Sequence, residues 1–101
     1  ETRHAGDADD LMGWVDVVVE TAGVPAAERQ AVRLAAARGR AVFIGIPVED
    51  VTLDQATFNH LLRQEVSLYG AWNSFSAPFP GREWAITVAM MATAGCGPRS
   101  L

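Results

Sequence analysis

Three short apolar runs, separated by helix-length segments, dominate the pattern of hydrophobic and polar positions. The runs are residues 15–20, 41–44 and 66–69. Near-continuous Val, Ile and Leu segments that alternate with helical segments are typical of parallel strands covered by crossover helices. The pattern therefore predicts an α/β chain in which three parallel strands form part of a doubly wound sheet.

The first crossover helix is predicted to begin at Pro25, because proline suits the first helical position, and to run to about Arg38. Gly39 lies just beyond it and is a typical stop signal. The alanine-rich face expected to pack on the sheet consists of Ala27, Ala31, Leu34 and Ala35.

The second crossover helix is predicted to follow Asp54, whose carboxylate can cap it, and to end near residue 63 or 64. The inner side is expected to carry Phe58, Leu61 and Leu62. His60 then lies on the opposite, solvated side. A final helix is predicted over residues 82–93.

The sequence predicts one ordered segment between a lead-in and a tail. Residues 1–14 are polar and broken by glycine, which predicts a poorly structured lead-in, and residues 94–101 form a tail. The ordered part is residues 15–93. The apolar stripe of its final helix consists of Trp84, Val88 and Met91.

One face of the predicted sheet lacks an obvious cover. Right-handed crossovers place both helices on the same face of three parallel strands. Alternating strand residues point to opposite faces, so Val17, Val19, Val42 and Ile44 include apolar side chains that need another partner. The final helix or a further segment would have to provide it.

Composition excludes several classes of function. The chain has 101 residues, half of them apolar, and a formal charge of -4. All eight basic residues are scattered arginines, which argues against nucleic-acid binding. No apolar run is long enough for a membrane span and no signal peptide is evident, so a cytoplasmic protein is expected. The single cysteine, Cys96, cannot form an internal disulfide.

Four segments carry a resemblance to a known family. They are residues 15–25 (VDVVVETAGVP), 39–47 (GRAVFIGIP), 68–74 (LYGAWNS) and 77–84 (APFPGREW). In this order they resemble the zinc-dependent medium-chain alcohol dehydrogenases, and most closely the polyol branch, which includes the sorbitol and galactitol-1-phosphate dehydrogenases. The resemblance implies a partial Rossmann fold, strands four to six of the coenzyme domain.

The same resemblance implies a site at the carboxyl ends of the strands, where nucleotides bind in such sheets. The positions that would contact the nicotinamide end of NAD are Thr21, Ala22, Gly23, Ile44, Gly45, Ile46, Ala71 and Trp72. Glycines there would let a cofactor approach the backbone, and exposed main-chain amides could bind its carboxamide. No catalytic residue and no metal ligand is assigned.

Glu20, at the end of the first strand, leaves two roles open. Its carboxylate could touch the ligand or orient the turn that begins at Thr21, or it could serve only as a hydrogen-bonding group within the fold. Trp72 and Phe75 likewise could form a wall of the site or serve in packing or subunit contact.

Other family features are missing from the sequence. No G-x-G-x-x-G follows a strand, and the nearest string, residues 95–100 (GCGPRS), lies in the tail. His4, His60 and Cys96 are too few and too scattered for the family's zinc sites. We therefore expect a fragment of an NAD-dependent dehydrogenase that is inactive alone. The alternative is a small non-catalytic α/β interaction module that pairs with another chain, or with its own copy, through the third strand or the bare face.

Overall fold

A three-stranded parallel sheet forms the centre of this computed structural model, which describes residues 8–72, 78 and 81–93. A 3-10 helix, Asp9–Leu11, precedes the sheet. The elements that follow are β1 (Val15–Glu20), α1 (Pro25–Leu34), β2 (Ala35–Phe43), α2 (Gln55–Arg63), β3 (Ser67–Gly70) and α3 (Arg82–Thr93). The predicted α/β class with three parallel strands and crossover helices is confirmed.

The chain divides into two units, Glu1–Ala71 and Trp72–Leu101. The first contains the sheet with α1 and α2, and the second contains α3. The bounds of α3 agree with the predicted helix, and none of its residues is buried. Residues 1–7 and 94–101, together with Phe75, lie outside the described part of the chain.

The three strands end level with one another. The strand order is β1-β2-β3, and both pairs are parallel. Glu20 pairs with Phe43, and Phe43 pairs with Gly70. The last residues of all three strands therefore lie in one row across the sheet, which is the arrangement that the sequence predicted.

The core lies between α1 and the first two strands. Ala31 and Val32 of α1 are buried, as are Ala35 and Ala41 of β2. α1 also contacts α2, so both crossovers lie on the same face of the sheet. Small side chains at these positions let the helix lie close to the strands.

The opposite face is apolar and exposed. Val19 pairs with Val42, and Val42 pairs with Tyr69, so the three side chains point to the same side. Val19 and Tyr69 are exposed, as is Val17 two residues earlier. The predicted bare face is present in the first unit.

The predicted end of α1 is wrong. The helix ends at Leu34, because Ala35 already has extended backbone angles and pairs with Val15. Gly39 is not the left-handed stop; Arg38 takes the left-handed conformation instead, with φ 60°. Pairing with β1 outweighs the helical preference of the alanine run.

The bounds of α2 are confirmed, but of its predicted inner residues only Leu61 is half-buried. Thr57 is fully buried, and Nε2 of His60 lies 2.9 Å from the carbonyl oxygen of Ala35. Phe58 and Leu62 are exposed. His60 is therefore a half-buried contact between α2 and β2, where a solvated position was predicted.

The cap of α2 also differs in detail from the prediction. Asp54 is the N-cap residue, yet its side chain makes no hydrogen bond to the helix backbone. Its carboxylate instead accepts a hydrogen bond of 2.5 Å from the Thr57 hydroxyl. This bond gives the buried Thr57 hydroxyl a hydrogen-bond partner.

Candidate functional site

The candidate site is built on the row of strand ends. The pairing continues one residue beyond the strands, since the amide of Ile44 donates to the carbonyl of Glu20 at 3.0 Å and the amide of Ala71 donates to that of Phe43 at 3.0 Å. The turns after β1, β2 and β3 therefore start side by side at one edge of the sheet. Ligands of open parallel sheets bind at this edge.

The turns after β1 and β2 pack against each other through their backbones. Gly23 has φ +73°, and a Cβ atom there would lie 2.0 Å from the carbonyl oxygen of Ile46. A Cβ atom on Gly45 would lie 2.5 Å from the amide nitrogen of Gly23. Turn-to-turn packing thus accounts for both glycines, where the sequence suggested the approach of a cofactor.

The Glu20 side chain fixes the first of these turns. It is 3% exposed, and its Oε1 accepts hydrogen bonds of 2.7 Å from the amides of both Ala22 and Gly23. Its other oxygen, Oε2, is buried beside Gly45 and has no hydrogen-bond partner among the described residues. Glu20 therefore orients the turn from inside the fold.

The predicted contact residues differ in solvent exposure. The exposed ones are Thr21, Ala22, Ile44, Ile46, Ala71 and Trp72. Gly23 is buried and Gly45 is half-buried. Trp72 begins the second unit and is placed only within it. The first unit thus brings five exposed residues of the predicted set to one edge.

Several backbone amides at this edge already donate hydrogen bonds within the fold. The amides that already donate within the fold belong to Ala22, Gly23, Ile44, Gly45 and Ala71. These five amides are therefore already used within the fold, and the binding of a carboxamide stays a prediction for the other amides of these turns, such as those of Thr21 and Ile46. Among the described residues, no hydrogen bond ends on the carbonyl oxygen of Ile44 or Ala71. These two carbonyl oxygens are therefore candidate acceptors at the edge.

The described residues contain neither a cluster of metal-ligating side chains nor a helix that could span a membrane. Within residues 8–72, 78 and 81–93, no three His, Cys, Asp or Glu side chains lie close enough to hold a metal ion. The described residues therefore do not fit a zinc site. No described helix has the length and apolarity needed to cross a membrane.

Sequence reasoning missed one buried acid, Glu28 in the first turn of α1. It lies four residues before Val32, which is fully buried, so the two side chains share a helix face. That spacing could have identified Glu28 as an inward residue. The predicted alanine-rich face, which includes Ala27 and Ala31, lies one position earlier along the helix.

Comparison with known proteins agrees with this fold. A family model described as zinc-binding dehydrogenase matches residues 4–92. The galactitol 1-phosphate 5-dehydrogenases of Escherichia coli strains K12 and O157:H7 are each 38% identical over 68 residues, which are 67% of this chain and 20% of the relative.

A solved structure is similar as well. The crystal structure of galactitol-1-phosphate dehydrogenase from Escherichia coli matches with a TM-score of 0.69 and 31% identity, covering 87% of this chain and 25% of that protein. The chain spans about a fifth of the curated relatives that it matches. The resemblance to the zinc-type polyol dehydrogenases is thus confirmed, and the chain belongs to the zinc-binding dehydrogenase family.

Proposed function

We propose that residues 15–93 form the nicotinamide-binding half of the coenzyme domain of an NAD-dependent, zinc-type polyol dehydrogenase. Its reaction is the oxidation of a secondary alcohol, such as galactitol 1-phosphate, to a ketone. NAD, when bound, supplies the hydride acceptor. The observation that carries the proposal is the single row of three strand ends, in a chain that is 38% identical to galactitol 1-phosphate 5-dehydrogenase.

The exposed groups at the edge suit a nicotinamide ring. A primary carboxamide has two N–H donors, and the carbonyl oxygens of Ile44 and Ala71 are acceptors on neighbouring turns. The exposed side chains of Ile44 and Ile46 offer apolar surface to a flat ring. Glu20 contributes indirectly, because it holds the Ala22 and Gly23 amides and so fixes the shape of the first turn.

The chemical step needs groups that the described residues do not contain. No zinc site fits them, and no G-x-G-x-x-G follows a strand in the sequence. We expect these 101 residues alone to show negligible polyol oxidation with NAD and zinc. Chelator-sensitive turnover by the purified chain would contradict this part of the proposal.

Coenzyme binding is tested by titrating the chain separately with the two mononucleotides that make up NAD. Calorimetric titration should show weak, saturable binding of nicotinamide mononucleotide and none of adenosine monophosphate. Ile46→Asp should abolish the binding, since it places a charge on the apolar edge. The matched control, Val48→Asp, changes a residue that is exposed to a similar degree, 70% against 66%, and should bind normally. Equal binding of both mononucleotides would contradict the proposal.

The bare sheet face favours a second candidate function, a non-catalytic module that pairs with another chain. Val17, Val19 and Tyr69 expose apolar surface there. Gel filtration separates the two candidates: a monomer that binds the nicotinamide mononucleotide supports the first, and a dimer indifferent to that compound supports the second.

A further inference from the structure

A cavity of about 350 Å³ lies on the helix-covered face of the sheet. It is bounded by α1, by the ends of β2 and β3, and by the loop of residues 47–53. Its apolar walls include Val32, Phe43, Leu53 and Leu68. The volume is in the range of small-molecule sites in proteins.

One charged side chain, Glu28, lines this cavity. It is 3% exposed, and its Oε1 has no hydrogen-bond partner among the described residues. The chain has no lysine, and no described arginine forms an ion pair with Glu28. The position in the first turn of α1 is favourable for a negative charge, but it gives Oε1 no donor.

We propose that this cavity binds a small organic ammonium ion. A carboxylate buried among apolar groups is unfavourable unless it is paired, and an ammonium group supplies both the opposite charge and N–H donors. The ammonium group pairs with Glu28, and the hydrocarbon part of the ligand contacts Val32, Phe43 and Leu68. This site does not depend on the proposed binding of NAD, and its test uses no nucleotide.

Charged and neutral ligands of one shape provide the test. The probes are benzylamine and isoamylamine, compared with benzyl alcohol and isoamyl alcohol, with binding to the intact chain followed by NMR. We expect each amine to bind at least about tenfold more tightly than its alcohol, because charge-assisted hydrogen bonds are about twice as strong as neutral ones. Equal binding of amine and alcohol, or no binding of either amine at millimolar concentration, would overturn the proposal.

Two variants locate the site. Glu28→Gln should reduce amine binding to the level of the alcohol, whereas the control Glu49→Gln removes an exposed carboxylate from the nearby loop and should leave it unchanged. Gly70→Val should block amine and alcohol alike, since Gly70 lines the cavity and a Cβ atom there meets nothing within 4 Å. Undiminished amine binding by a folded Glu28→Gln protein would refute the assignment.

Discussion

The glycines at the carboxyl edge of the sheet fall into two classes. Gly23 and Gly45 leave no room for a Cβ atom, which would meet backbone atoms at 2.0 and 2.5 Å. Gly70, the last residue of β3, has nothing within 4 Å of a Cβ position. The ends of β1 and β2 are thus locked together by close packing, while the end of β3 is open.

This difference shows what a glycine at the end of a strand can mean. All three glycines look equivalent in the sequence, where each follows an apolar run. Two of them serve the fold, because the turns cross at backbone contact distance. Only the third lies beside open space. Gly45 and Gly70 both line the cavity that contains Glu28.

The largest expected effect comes from Gly23→Ala. The substitution combines a positive φ with a backbone clash, so we expect a loss of about 3 kcal/mol or more in the free energy of unfolding. Urea denaturation followed by circular dichroism measures it. A loss below about 1 kcal/mol would show that the two turns are not locked.

Glu20→Ala should have the next largest effect, a loss of about 2 kcal/mol in the free energy of unfolding. The amides of Ala22 and Gly23 lose their acceptor, and the loss is moderated because an unpaired buried oxygen, Oε2, is removed as well. Glu20→Gln retains one acceptor oxygen and should lose roughly half as much. Equal losses in the two variants would argue against the double hydrogen bond.

Gly70→Ala should slightly stabilise the protein, by about 0.5 kcal/mol in the same urea experiment. Alanine restricts the unfolded chain more than glycine does and meets no atom in the folded one. A destabilisation of more than about 1 kcal/mol would show that the end of β3 is packed like the ends of β1 and β2.

The smallest effect concerns pH and the cap of α2. The Thr57 hydroxyl, which donates to the carboxylate, holds the pKa of Asp54 below its ordinary value of 3.8. A lowered folded pKa stabilises the protein above the unfolded value, and the contribution disappears as the pH falls through the folded value.

Thr57→Val removes this donor while keeping the shape of the side chain. The difference in urea midpoint between the original protein and Thr57→Val should therefore be present at pH 7 and should narrow below about pH 3.8. The control Thr52→Val, at an exposed loop position, should show no such pH dependence. A difference that stayed constant across this range would exclude the bond to Asp54 as its source.

Much of the fold could be predicted from the sequence. Apolar runs with helix-length spacing gave the three parallel strands, and the parallel arrangement placed their ends at one edge. Pro25 and Asp54 marked the starts of α1 and α2, since both residues have strong local preferences at helix N-termini.

The remaining features depend on contacts between distant segments. The end of α1 is set by pairing of Ala35 with Val15, and His60 points inward because it meets the carbonyl of Ala35. Neither contact has a local signal in the sequence. The strand ends lie at one edge, as predicted, but the close packing of Gly23 and Gly45 could not be predicted, because their neighbours come from each other's turns.

Mapping the binding of nicotinamide mononucleotide by NMR tests directly whether the carboxyl edge of the sheet is the coenzyme site. If the nicotinamide binds at this edge, the largest changes in amide chemical shift fall on its exposed residues, Thr21, Ala22, Ile44, Ile46 and Ala71. Changes centred on the opposite end of the sheet, at Gly13, Arg38 and Val66, or no change at saturating concentration, would contradict it.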